Sequence, residues 1–375
     1  MNKKEILEIR KHLTKQDGAV GRICGCYVNH EKEIVCELKQ AFLSLSEEEI
    51  FKYRDIFKHG LSGTVGKNLL DIEFPLNQES EGGTQDFLLK LRNSELADDE
   101  LLKRFYKTII DNFDYPENYY IILIYSSYDI PGKTSDGFVN FDSSEDVYNH
   151  ILCCICPVKL SKPGLSYDST ANAFIERDRD WIVESPIKGF LFPAFNDRST
   201  DIHSILYYSK DAANLGDTLI DSVVGSGTPL SCPDQKTIFN TLISETFTES
   251  CDYETIRSIH ETINDIIEEN KENPDPVKLS KEDIRHVFEE AEVAEENIES
   301  FETAFSNTAG EKAELQASNI TETKFSITTP DVVIKVNPAR TDLVETRIID
   351  GRQCLVIAVD DHIQVNGIDV KTIKS

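Results

Sequence analysis

Tyr119-Tyr120-Ile121-Ile122-Leu123-Ile124-Tyr125 contains no charged residue and no alternation of polar with apolar side chains. A strand with one wet face alternates with period two, so a short, uniformly apolar run reads as a central strand buried on both faces. The residues on either side supply its neighbours. Upstream, Arg22–Val28 and Ile34–Leu38 read as strands joined by the polar turn Asn29-His30-Glu31-Lys32, and Leu69–Phe74 reads as a strand stopped by Pro75. Downstream, strands are expected at His150–Val158, Ala173–Ile175, Trp181–Val183, Gly189–Phe192 and His203–Tyr208, with Tyr128–Ser144 as a long polar loop around Pro131, Gly132 and Gly137.

Helices precede most of these strands. Ile6, Ile9 and Leu13 recur at helical spacing, and Leu101, Phe105, Ile109 and Phe113 form a stripe in steps of four. Ser46 and Glu49 have the spacing of a capping box, with Leu45 and Ile50 placed to staple it, so a helix is expected from Glu47 to His59. Helices grouped before a succession of strands predict an α+β fold with a mixed, largely antiparallel sheet, rather than regular βαβ winding.

The composition changes near Pro233. Residues 233–310 read as helices, including 234–247 and 252–270, with Ser280 and Asp283 opening a further one. That stretch carries about 14 of the chain's net 28 negative charges. Ile256, Ile259, Ile263 and Ile266 make a seam of only about two heptads, suited to packing on the region's own core. Beyond it, Asp350-Gly351 and Asn366-Gly367 sit between apolar runs and favour type I′ turns, whose central residues need positive φ. The expected organisation is an α/β body (1–232), an acidic helical region (233–310), and a C-terminal β-hairpin segment (311–375) packing back on the body.

With 39 basic and 67 acidic residues, the surface repels phosphate backbones and anionic headgroups, so neither nucleic acid nor membrane is an expected partner. Nine cysteines are too few for a disulfide scaffold. The charged start Met1-Asn2-Lys3-Lys4-Glu5 is unlike a signal peptide, and no window approaches the roughly 18 apolar residues of a membrane span. The expected location is the cytoplasm.

Tests for chemistry return near-misses. Gly60–Asn68 lacks the glycine and hydroxyl positions of a phosphate-binding loop, and Gly132-Lys133-Thr134 follows a strand but lacks the upstream glycine and a following helix. Both read as ordinary turns, and no cofactor is expected. Cys24 and Cys26 share one face of a strand, as do Cys154 and Cys156; were the strands adjacent, four sulfurs would converge on a metal. Core packing is the preferred reading, because structural zinc sites use knuckle turns. Cys232 stands at the expected N-cap of the helix from Asp234, where the dipole favours a thiolate. Asp197, Arg198, Asp201 and His203 surround a strand entry and have the composition of an acid–base and anion-binding cluster, or of a turn with a surface salt bridge.

Several stretches together carry a family likeness: Arg22–Val28, Ala41–Leu45, Leu61–Leu70, Tyr128–Pro131, Cys154-Ile155-Cys156-Pro157-Val158 and Gly189–Phe195. The set resembles a bacterial family catalogued as domain of unknown function number 4317, typical of anaerobic Gram-positive bacteria. The resemblance implies a cytoplasmic, single-chain bacterial protein and carries no catalytic roles. The first expectation for function is a non-enzymatic binding or scaffold protein whose acidic helices engage a protein partner or another copy. The alternatives are an enzyme with a site around Tyr128–Lys133 and Asn196–His203, and a nucleic-acid mimic.

Overall fold

The computed structural model describes residues 1–15, 20–133, 139–247, 252–310, 313–321, 325–359, 363–365 and 368–370. The chain divides into two compact units, Met1–Ser231 and Cys232–Ser375.

The first unit begins with helix α1 (Lys3–Thr14), followed by β1 (Val20–Val28), β2 (Ile34–Ala41), α2 (Glu47–Gly60) and β3 (Leu69–Glu73). Helices α3 (Thr84–Asn93) and α4 (Asp99–Asn112) lead into β4 (Tyr119–Lys133) and β5 (Val139–Leu160). Strands β6 (Leu165–Asp168), β7 (Ala173–Glu176), β8 (Trp181–Val183), β9 (Lys188–Phe192) and β10 (Ser204–Ser209) precede α5 (Asp217–Val224). The sheet runs β2-β1-β4-β5-β9-β10-β3, with β8 against the far end of β5, and every neighbouring pair is antiparallel.

The apolar run at Tyr119 lies where its composition predicts, with β4 between β1 and β5 and Ile121–Ile124 wholly buried. Helices α3, α4 and α5 cover one face, setting Leu91, Phe105, Ile109 and Ile220 against Ile121, Leu123, Phe190 and Tyr207. On the opposite face α1 and α2 set Ile6, Ile9, Leu13 and Phe57 against Ile122, Ile124, Leu152 and Leu206. Each large apolar side chain so buried contributes about 1.5–3 kcal/mol. The α2 capping box forms as expected: Ser46 accepts from the Glu49 amide, and the Glu49 carboxylate accepts from the Ser46 amide at 2.9 Å.

One expectation is corrected. Tyr128–Ser144 is not a long loop, because β4 continues to Lys133 and β5 starts at Val139. The pairing passes Pro131 by register shifts between Ile130 and Gly132, which accommodate a residue that cannot donate to the ladder. Strand β6 was not anticipated from the sequence. It extends the β5–β8 pairing outward: Val158↔Val183 and Leu160↔Trp181 are followed by Ser161 N to Asp180 O at 2.8 Å and Arg177 N to Gly164 O at 2.9 Å. Pairs Leu165↔Glu176 and Asp168↔Ala173 then complete a two-stranded ribbon spanning residues 158–183.

The second unit contains α6 (Cys232–Phe247), α7 (Tyr253–Glu269), α8 (Lys281–Glu290), α9 (Glu295–Thr308) and α10 (Ala317–Ile320). They share a core of Phe239, Leu242, Ile259, Ile263, Phe288, Phe301 and Phe305, so the isoleucine seam packs on its own unit. Strands β11 (Lys278–Leu279) and β12 (Leu315–Gln316) pair, as do β13 (Phe325–Thr328) and β14 (Val333–Val336). The next hairpin joins β15 (Val344–Ile349) to β16 (Arg352–Ile357) through Asp350 and Gly351, at φ 51° and 71°, the left-handed pair that a type I′ turn requires. Strands β17 (Ile363–Val365) and β18 (Ile368–Val370) also pair, while Asn366-Gly367 lies outside the described residues.

Candidate functional site

Helix α1 carries a polar row, Glu5, Glu8 and His12, one position before its buried stripe of Ile6, Ile9 and Leu13. The row faces the turn Asn196–Arg198 and the outer half of β4. Glu8 is the hub. Its carboxylate accepts from Arg198 Nη2 at 3.0 Å and Nε at 3.2 Å, and from the Tyr128 hydroxyl at 2.7 Å. Arg198 Nη2 also donates to the Pro131 carbonyl at 3.4 Å, and the Arg198 amide donates to Glu5 Oε1 at 3.3 Å. Asp197 and Arg198 hold φ values of 52° and 55°, a left-handed conformation that residues with a Cβ adopt only when their surroundings enforce it. The Glu8 hydrogen bond, opposed by burial, holds the Arg198 pKa above its ordinary value; burial, then Glu8, raises that of Tyr128.

Behind the ion pair lies a second group on the same sheet face. His12 Nε2 and Ser126 Oγ are 3.4 Å apart, and the His12 ring tilts onto Tyr128 with centroids 4.6 Å apart. His150 stacks on Tyr148 at 4.5 Å and lies 6.5 Å from His12. It is fully buried; Nδ1 lies 3.3 Å from the Tyr148 carbonyl, and Nε2 has no hydrogen-bond partner among the described residues. Burial, reinforced by His12, brings its pKa down to about 3, so the imidazole is neutral at physiological pH. Burial also lowers the His12 pKa. Ser126 beside His12 has the pairing of a nucleophile with a base, but Ser126 is fully buried.

The structure brings together only part of the cluster expected from sequence. Arg198 turns to Glu8, whereas the exposed His203 ring meets Glu79 at 2.8 Å, which raises its pKa. Asp201 accepts from Asn196 Nδ2 at 2.7 Å and from the His203 amide at 3.0 Å; burial opposes, but these bonds hold its carboxyl below its ordinary value. Asp201 thus closes its own turn, and the four residues do not converge on one point. The two segments Tyr128–Lys133 and Asn196–His203 do meet, at the Arg198–Pro131 contact.

The other candidates disperse. Strand β4 separates the cysteine-bearing strands β1 and β5. Cys24 and Cys26 pack on the α3–α5 face, and Cys154 and Cys156 on the α1–α2 face, so the four sulfurs do not converge. Gly132 and Lys133 pair with Asn140 and Val139 as strand residues rather than forming a turn, and Thr134 lies outside the described residues. Cys232 is the first residue of α6 and half-buried. In the second unit the carboxylates are interrupted by cations: Arg285 pairs with Glu289 and Glu302, and Arg257 with Glu254 and Glu261.

Sequence reading missed Glu8, His12, Ser126 and His150. The available signal was the row Glu5-Glu8-His12, spaced like the apolar stripe beside it and therefore at its margin. No described helix is long and apolar enough to cross a membrane. The profile of one family, described as a domain of unknown function (DUF4317), matches residues 1–368, and the chain belongs to that family. No curated protein and no solved structure matches it.

Proposed function

We propose that this DUF4317 protein is a cytoplasmic bacterial binding or scaffold protein that acts without catalysis. The observation that carries the reading is the ribbon of residues 158–183. Beyond the buried Val158, its large apolar side chains stand in water: Leu165 is 74% exposed, Phe174 71%, and Trp181, the chain's single tryptophan, 54%. Soluble proteins seldom leave such a group uncovered unless another molecule covers it. The acidic helices of the second unit offer a separate surface suited to a basic partner. The test is affinity capture followed by cross-linking, comparing wild type with a Tyr167→Ser/Phe174→Ser/Trp181→Ser variant. Loss of cross-linked partners in the variant supports the reading; the same partners from both proteins, or none from either, refutes it.

A second reading, an enzyme using the Tyr128–Lys133 and Asn196–His203 segments, draws support from the 3.4 Å contact between Arg198 and Pro131 beside the His12–Ser126 pair. A fluorophosphonate probe that labels the wild type but not Ser126→Ala would favour it. Equal labelling of both, or of neither, counts against it.

A further inference from the structure

We propose that the ribbon is a self-association surface, covered edge to edge by the same ribbon of a second copy of this chain; this rests on the binding reading above. The ribbon is apolar on both faces. Tyr167 and Phe174 are cross-strand partners on one face, with ring centroids 5.6 Å apart, while the adjacent pair Ser166 and Ile175 alternates to the other, where Ile175 is 44% exposed. A helix or another sheet laid on one face would leave the opposite face wet, whereas strands added at an edge extend both faces together. An isolated two-stranded ribbon is marginally stable in water, and further strands relieve that.

Charge selects the occupant. Residues 158–183 hold four basic residues (Lys159, Lys162, Arg177, Arg179) and four acidic ones (Asp168, Glu176, Asp178, Asp180), so the whole net charge of −28 lies elsewhere. Two copies repel over most of their surfaces, and a neutral segment is where they meet at least electrostatic cost. A basic partner, by contrast, is drawn to the acidic helices. A two-fold axis also supplies a strand of the same length and twist, and closes the assembly at two copies.

Sedimentation equilibrium across low to high micromolar concentrations, with Trp181 emission recorded in parallel, tests this. The expected result is a monomer–dimer equilibrium, with emission shifting to the blue as dimer forms. Added salt should tighten it, because screening weakens the repulsion between copies. Ile175→Lys and Trp181→Lys, placing charge on an exposed edge, should each weaken association about tenfold while leaving thermal unfolding unchanged at dilutions where wild type and variant are both monomeric; the Ile175 variant keeps the fluorophore. A monomer at every concentration overturns self-association. If ribbon-dependent capture of another protein persists, the binding reading survives; if that capture is also lost, both fail. A dimer unaffected by either substitution locates self-association elsewhere and overturns the inference.

Discussion

Acid should unfold this protein chiefly through His150. In the unfolded chain an imidazole titrates near 6.5; in the fold, burial against Tyr148 and beside His12 lowers His150 to about 3. Between those values the unfolded state binds a proton that the folded state refuses, so stability is intact above pH 6.5 and falls as pH drops toward 3. The gap corresponds to about 5 kcal/mol in total, of which about 2 kcal/mol is lost between pH 7 and pH 5. That is a large share of a typical domain's stability of about 5–15 kcal/mol. His150→Phe keeps the ring stack and removes both the titrating group and the unpaired Nε2. Urea midpoints at pH 7, 6 and 5 should fall steeply for the wild type and much less for the variant. The residual slope should come from His12, whose pKa is lowered in the same sense. Parallel pH profiles for the two proteins would refute the reasoning.

Three further outcomes follow from particular contacts. A Cβ on Gly189 would stand 2.4 Å from the Cys153 carbonyl in the middle of the sheet, so Gly189→Ala should lower stability by about 2–3 kcal/mol in chemical denaturation. Glu8→Ala strips Arg198 and Tyr128 of their shared acceptor in a partly buried setting; a loss of about 1–3 kcal/mol is expected, with faster proteolysis near residues 196–199, and an unchanged melting temperature would contradict it. Lys188, buried and donating to Ser209 Oγ at 2.8 Å and to the Asn214 carbonyl, is brought down to about 8 by desolvation, against Asp211 and Asp217. Since the unfolded chain holds that proton up to pH 10.5, the group's contribution should rise by about 3 kcal/mol from pH 8 to 10.5, a rise that Lys188→Met should lack when unfolding is followed by circular dichroism.

The elements that composition revealed are those whose cause is local. Ser46 and Glu49 cap α2, Ser280 and Asp283 cap α8, and Asp350-Gly351 turns a hairpin, each through bonds or dihedrals confined to a few residues. The uniform run at Tyr119 was legible for the opposite reason: burial on both faces removes polar residues from every position. Tyr128–Ser144 misled because ladder hydrogen bonds belong to the backbone, so a stretch rich in polar residues, with Pro131 and Gly132 inside it, can still pair as strand. Period-two spacing put Cys24 with Cys26 and Cys154 with Cys156, but nothing in either pair says which face of the sheet it occupies. The candidate site was hidden more deeply. Glu8, His12, Ser126, His150 and Arg198 come from α1, β4, β5 and a turn, and only the tertiary fold makes them neighbours.

The alternating thiols of the sheet give the molecule an internal clock. Cys153 and Cys154 are consecutive yet open onto different layers, and with Cys24, Cys26 and Cys156 they are fully shielded from solvent. Burial pushes Cys24 up to about 11 and Cys154 up to about 12, so an alkylating reagent finds almost no thiolate until the layers part. Exposed Cys36 reacts at once and marks time zero. Mass spectrometry of quenched samples would then separate release of one helical layer, seen as early labelling of Cys153 or of Cys154 alone, from simultaneous opening of both.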